Sequence, residues 1–166
     1  FIARTPWPAL GASFGFSSWR PYFGLRVFKE QRFGRSKNVM LAFVPHGLFP
    51  LTLPMISGIS DTIFPEFNGH IPTTVVADCL LYAPILAPLL VWLGCVPAQK
   101  KLIKKHLREN NVIILPGGIA ETFHAKREEE CVYIENRRGF IKTALEEGSL
   151  LVPVYCFGHS QLYDVY

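Results

Sequence analysis

A histidine, a glycine pair and a carboxylate stand at the ends of apolar runs in this chain, and together they suit acyl transfer. His46 follows the run Val39–Val44 in the order Pro45-His46-Gly47. Gly117 and Gly118 follow Asn111–Leu115, with Glu121 three residues on. A histidine can remove a proton from an attacking hydroxyl near neutral pH. Backbone N–H groups of Gly117, Gly118 and Gly47 can hold the oxyanion that develops on a carbonyl. Glu121 can orient His46 or grip an acceptor hydroxyl; the alternative is a helix-start charge that complements the dipole. A lone histidine in an apolar chain is more often a hydrogen-bonded structural residue. His124 reads as structural, and His70, His106 and His159 carry no separate signal. There is no G-x-S-x-G, and Gly158-His159-Ser160 lacks the strand–elbow–helix context of a nucleophilic serine. No cysteine is marked as activated, so direct attack by the acceptor is the simpler scheme. Walker A and G-x-G-x-x-G phosphate loops are absent from the sequence.

These residues need elements that bring them together. Val39–Val44, Asn111–Leu115 and Leu150–Val154 are short, continuous apolar runs that suit strands buried on both faces. Each ends in a Pro/Gly turn, and helical segments lie between them. That pattern predicts an α/β fold with a mostly parallel sheet and flanking helices, whose ligand site lies at the carboxyl ends of the strands. Thr73–Val76 is a further candidate strand. Gln99–Asn110 reads as an amphipathic basic helix with Leu102, Ile103 and Leu107 inward and Lys100, Lys101, Lys104, Lys105 and Arg108 wet. Asn136–Gly148 reads as a helix closed by Gly148. Leu48–Ser60 is expected to be helical beyond Pro54, and 61–69 to be a loop. Lys126–Glu130 is expected to be an exposed charged loop.

The chain has 166 residues, enough for a single domain spanning 1–166. Its charged fraction of 18% is below the roughly 25% usual in soluble domains, and its mean hydropathy is +0.23. An unusually apolar exterior, or a domain lying on a membrane, follows. Between Asp78 and Lys100 there is no charge, a length of about 20 residues that could span a bilayer. Pro84, Pro88, Gly94 and Pro97 interrupt it, which favours a kinked helix buried in the domain or dipping into one leaflet. Phe1–Ser18 reads as irregular, and Trp19–Gln31 as a short helix at a membrane boundary or an ordinary surface helix. A net charge of +4 suits an anionic ligand or headgroup better than nucleic acid. Arg137 and Arg138 could hold an anion, as could the Lys100–Lys105 cluster; solvated helix faces are the alternative. Four scattered cysteines read as free thiols in a reducing compartment, with no metal site.

Pro45-His46-Gly47, the block 115–124 (L-P-G-G-I-A-E-T-F-H) and the block 137–158 (R-R-G-F-I-K-T-A-L-E-E-G-S-L-L-V-P-V-Y-C-F-G) resemble three signature blocks of the type-2 diacylglycerol acyltransferase family. Residues 81–99 resemble its plant-type branch, and the resemblance covers about Tyr22 to Tyr166. It also extends to the wider glycerolipid acyltransferase superfamily. It implies a membrane-associated enzyme of the endoplasmic reticulum, on its cytosolic face, and of the lipid droplet surface. That enzyme transfers a fatty acyl group from acyl-CoA to the free hydroxyl of diacylglycerol, with His46 as base, no covalent acyl-enzyme and no metal or cofactor beyond the acyl-CoA co-substrate. Acyl-CoA, diacylglycerol and a membrane are then the partners, nucleic acid is not, and a homo-oligomer stays open. Arg137, Arg138, Lys100, Lys101 and Lys104 become candidates for CoA phosphates. The resemblance also makes the chain read as a fragment lacking an N-terminal membrane anchor and the C-terminal end. Two departures stand out. Val44 replaces the first histidine of the animal His-Pro-His-Gly, leaving His46 as the one candidate base. Five residues on stands Leu51, where the superfamily's His-x-x-x-x-Asp signature has its aspartate, so Glu121 is the best candidate to orient the base. Rival readings keep the chemistry on monoacylglycerol, a long-chain alcohol or a lysophospholipid, make water the acceptor, or leave a non-catalytic lipid-binding domain.

Overall fold

The computed structural model describes residues 6–11, 13–30, 38–57, 60–67, 70–124 and 126–163. Its frame is a five-stranded, wholly parallel sheet. The strands are β1 (Val39–Val44), β2 (Thr73–Val76), β3 (Cys95–Pro97), β4 (Val112–Ile114) and β5 (Leu150–Tyr155), in the spatial order β3-β2-β4-β1-β5. The strand that feeds His46 therefore lies between the strand that feeds Gly117 and the strand that feeds Phe157. Met40 is level with Val112 on one side and with Leu151 on the other.

Alternation along β1 divides the core. Val39, Leu41 and Phe43 face one side, with Ile56 of α3 (Thr52–Ser57) and the stacked Phe64 and Phe67. Met40 faces the other, with Ile103 and Leu107 of α6 (Lys100–Glu109) and Ala144 of α8 (Gly139–Glu146). Helices thus cover both faces, as an all-parallel sheet requires. At the amino edge two asparagines close the frame. The Val39 N–H donates to Asn111 Oδ1 at 2.9 Å, and the Asn38 amide donates to the Leu107 carbonyl at 2.7 Å.

Several expected elements differ. Residues 78–100 form no single helix. A 3-10 turn at Asp78–Tyr82, helix α5 (Leu86–Trp92) and β3 follow one another, because Pro84 and Gly94 stop helix on either side. No helix of the described residues is long and apolar enough to cross a membrane. The strand β5 is an edge strand rather than a buried one. Leu150, Pro153 and Tyr155 are exposed, and Pro153 is tolerated because an edge needs fewer ladder donors. The amino-terminal region contains α1 (Pro8–Gly11) and α2 (Phe14–Phe23), the latter ended by Gly24 at φ 63°; residues 1–5 and 31–37 lie outside the described residues. Within 61–69, α4 (Ser60–Ile63) and a 3-10 turn at Pro65–Phe67 stand where a loop is expected.

The basic face of α6 is tied to α8. Lys104 reaches Glu146 at 2.8 Å and Glu147 at 3.3 Å, Lys100 reaches Glu146 at 3.1 Å, and Arg108 meets Glu147 at 2.6 Å. The hydrogen bond from Lys104, then that from Lys100, lowers the Glu146 carboxyl from an ordinary 4.5 to about 2. A carboxylate whose folded pKa is depressed contributes stability above its ordinary value and loses it as pH falls through the folded value. The α6–α8 contribution is therefore expected to be full above pH 4.5 and to fade toward pH 2. Thermal melts across this range should show Glu146→Gln costing stability at pH 5, less at pH 3 and little below pH 2. The pH 5 difference should shrink in 1 M salt, because these groups are solvent-screened.

Candidate active site

The carboxyl ends of β4, β1 and β5 adjoin, and three turns leave them side by side. After β1 the chain passes through a cis Val44–Pro45 peptide to His46 and to Gly47 at φ 62°. After β4 it makes the turn Pro116–Gly117 and starts α7 (Gly118–His124), which carries Glu121 and Thr122. After β5 come Cys156, Phe157, Gly158 and the buried His159.

Glu121 is only 1% exposed, and its carboxylate is held by main chain. One oxygen accepts the N–H of His46, the other the N–H of Tyr133 at 2.7 Å. Each carboxyl oxygen therefore has a main-chain donor. The carboxylate thus touches His46 through its backbone and fixes where the residue sits, without touching the imidazole. Gly117 makes room for it: a Cβ on Gly117 would stand inside the Glu121 carboxyl group and 2.7 Å from its Cβ.

The imidazole of His46 is oriented by a carbonyl. Its Nδ1 lies 2.8 Å from the Gly47 carbonyl oxygen, which can only accept, so Nδ1 carries the hydrogen. The Thr122 hydroxyl donates to the same carbonyl at 3.3 Å and lies 3.4 Å from Nδ1. That tautomer leaves a lone pair on Nε2, the atom a general base needs.

The other sequence candidates fall in three places. Arg137 lies at the same edge, its guanidinium 5.5 Å from the centre of the Tyr133 ring, and Tyr133 is the residue whose N–H binds Glu121. Arg138 is exposed at the start of α8. Lys100, Lys101 and Lys104 lie in the first half of α6, which follows β3. Lys100 and Lys104 already pair with carboxylates there, whereas Lys101 is exposed. Of the glycines, Gly118 already donates its N–H to the Leu115 carbonyl at 3.1 Å.

Sequence reasoning passed over three residues. Tyr133 and Thr122 act through contacts that only the folded chain makes. His159 had a readable signal, since it leaves a strand beside a Gly turn as His46 does. Its loop is fastened by Glu130, which accepts from the Tyr155 hydroxyl, the Gly158 N–H at 3.3 Å and the Ser160 hydroxyl at 3.4 Å. The bond to Glu130 pushes the Tyr155 phenol up to about 12. All four cysteines are free, and burial pushes Cys95 to about 12 and Cys156 to about 11.

The diacylglycerol acyltransferase family model matches residues 15–166. The chain belongs to that family. It is 29% identical over 150 residues to diacylglycerol O-acyltransferase 2 of Bos taurus, covering 87% of this chain and 42% of that protein. The Danio rerio protein of the same name is 30% identical over 149 residues, with 87% and 41% covered. Diacylglycerol O-acyltransferase 2-like protein 6 of Mus musculus is 27% identical over 151 residues, with 88% and 45% covered. The chain spans about two fifths of the length of these curated relatives. No solved structure matches it.

A Gln at 121 keeps one acceptor and turns an amide N–H₂ toward the other backbone N–H. Glu121→Gln is therefore expected to lower stability by about 1–3 kcal/mol, the cost of a buried donor left unpaired. Denaturant unfolding checks it. An unchanged midpoint would show that the main chain does not need this carboxylate.

Proposed function

We propose that this chain carries the chemistry of a diacylglycerol O-acyltransferase, with His46 as general base. The observation that carries the reading is the His46 tautomer: Nδ1–H bonded to the Gly47 carbonyl, with the Nε2 lone pair left to act. Family membership and the names of the relatives support diacylglycerol as acceptor and acyl transfer as the reaction; acyl-CoA is the donor in this proposal. Nε2 takes the proton of the free diacylglycerol hydroxyl as its oxygen bonds to the thioester carbon. The N–H groups of Gly47 and Gly117 face the oxyanion of the tetrahedral intermediate. Collapse breaks the C–S bond, and the proton on Nε2 passes to the departing CoA sulfur, which restores the base. No acyl-enzyme is needed. The Cys156 thiol at the exit of β5 is buried and pushed up to about 11, so it stays protonated at neutral pH. Glu121 is a positioning residue, and Arg137, Arg138 and Lys101 are offered to the CoA phosphates, with Lys100 and Lys104 available once exchanged from Glu146. Val44 ahead of Pro45 supports the plant-type branch, with its single histidine.

A membrane setting on the endoplasmic reticulum and lipid droplet surface belongs to the same reading. What supports it is an apolar rim beyond the carboxyl ends of the strands. Phe49, Tyr82, Ile85, Ile119, Phe123 and Phe157 are all exposed there, Ile85 at 91% and Phe157 at 87%. Exposed apolar side chains gathered around a site mark an interaction surface. Diacylglycerol resides in bilayers, so a rim that enters the interface brings His46 to its hydroxyl.

Labelled acyl-CoA supplied with diacylglycerol, in membranes that lack triacylglycerol synthesis, tests the reading. Wild-type chain should yield labelled triacylglycerol. His46→Ala should lose about 10²–10⁴-fold, the usual worth of a general base, with its melting temperature retained. Retained activity in His46→Ala would remove it as the base. Label in another ester would change the acceptor, and label in free acid would favour water as acceptor.

A further inference from the structure

His159 is 4% exposed, lies outside the proton route above, and makes a directed chain of hydrogen bonds to the His46 turn. Its Nδ1 is 3.1 Å from the Pro45 carbonyl oxygen. A carbonyl only accepts, so Nδ1 carries the hydrogen. Its Nε2 lies 3.4 Å from the Thr52 hydroxyl on α3. Burial lowers the His159 pKa, which keeps the ring neutral and makes Nε2 an acceptor for Thr52. Thr52 Oγ1 is in turn 3.8 Å from the Cys156 sulfur. With the Thr52 hydrogen directed at His159, the protonated Cys156 thiol is the donor of that last contact. With a neutral ring, the order that satisfies all three contacts is Cys156 S–H to Thr52, Thr52 O–H to His159, His159 N–H to Pro45. It runs from the end of β5, through α3, to the residue before His46.

The two turns also meet backbone to backbone. A Cβ on Gly47 would come within 2.9 Å of the His159 carbonyl oxygen, and Gly47 sits at φ 62°. Gly47 supplies the carbonyl that orients the His46 ring. A displacement of His159 therefore reaches both Pro45, through Nδ1, and Gly47, through main-chain contact.

We infer that His159 is a positioning residue for His46: its Nδ1–H bond to the Pro45 carbonyl, together with its carbonyl against Gly47, holds the Pro45-His46-Gly47 turn in the geometry that leaves Nε2 free. It rests on the proposed function for its kinetic readout but not for its structural one. Glu121 holds the same turn from the β4 side through the His46 N–H. The turn is thus gripped on both flanks, by a carboxylate that accepts and by an imidazole that donates.

Three substitutions separate the two nitrogens. Asn places its amide N–H₂ near the position of Nδ1, Gln near that of Nε2, and Leu supplies neither. In His159→Leu the acyl-transfer kcat should fall on the order of 10–100-fold, as a misplaced catalytic group costs. KM for acyl-CoA should stay within about twofold. His159→Asn should recover most of kcat, and His159→Gln should not. Nitrogen chemical shifts of the His46 ring, read by NMR on the purified full chain, give the tautomer without turnover. They should report Nδ1–H in wild type and His159→Asn, and a mixed tautomer in His159→Leu and His159→Gln. Should His159→Leu fail to fold, the Asn and Gln variants decide alone. Equal kcat and equal shifts in Asn and Gln would overturn the inference, as would a rise in KM at constant kcat. If the wild type transfers no acyl group while the ring shifts change as expected, the proposed function fails and the positioning role stands.

Discussion

A buried carboxylate must find donors, and in this molecule the donors of Glu121 are main-chain amides. Removing an ionised group from water costs several kcal/mol unless its oxygens are satisfied. Among the described residues, the Glu121 carboxyl oxygens accept from the main-chain N–H groups of His46 and Tyr133. That constraint orders the edge. It fixes the exit of β1 against the first turn of α7, and it draws in the segment ahead of α8 through Tyr133. It also dictates Gly117, where a methyl group would occupy the space of the carboxyl. Tyr133 then carries the Arg137 guanidinium over its ring and stacks on His124 at 5.2 Å, so residues far apart in sequence are gathered by one charge that needed two bonds.

The imidazole of His46 is oriented by a different kind of acceptor. Leu51, five residues beyond His46, is 5% exposed and belongs to the core. Nothing at that position can turn the imidazole. The Gly47 carbonyl does so instead, with the Thr122 hydroxyl on the same oxygen. A neutral carbonyl fixes the tautomer as a carboxylate does. On the proposed reading the ring holds its proton only between attack and collapse. Orientation, supplied by backbone, is then separated from charge, which Glu121 spends on backbone as well.

The frame was legible where apolar runs are continuous and bounded. Val39–Val44, Thr73–Val76 and Asn111–Leu115 read as strands and are strands or contain them, and the buried Ile103 and Leu107 of α6 follow from helical spacing. Cys95–Pro97 was hidden because three residues beside Gly94 carry no period, and its pairing with β2 is a tertiary fact. The edge position of β5 was hidden for the same reason: hydrophobicity marks a strand, but spatial order decides whether both its sides are paired. The lysines of α6 read as wet and free, whereas Glu146 and Glu147, about forty residues on, come to lie across from them. At the site, His46 and Glu121 were legible as a pair that meets. That they meet through a backbone N–H was not, since main-chain donors have no letter in a sequence. His159 was overlooked because its partners are a carbonyl and a hydroxyl rather than charged groups.

The sheet order has a chemical consequence for the choice between transfer and hydrolysis. A histidine able to deprotonate an alcohol can deprotonate water too, and water is the more abundant acceptor. Nothing in the His46 geometry discriminates between them. Discrimination must come from what reaches Nε2, and that is set by the surroundings of the edge. The strands β4, β1 and β5 bring their three exits together, and the same exits carry Ile119, Phe123, Phe49 and Phe157 outward. All four are exposed, Phe123 and Phe157 most of all. Set against a lipid phase, they would exclude bulk water from the base and admit an acceptor dissolved in lipid. Exclusion of water also strengthens the hydrogen bonds that hold the turn, because each is worth more at low dielectric. On the proposed reading the apolar rim and the polar grip on His46 would be parts of one arrangement: the first would select the acceptor, and the second would keep the imidazole aimed once water is gone.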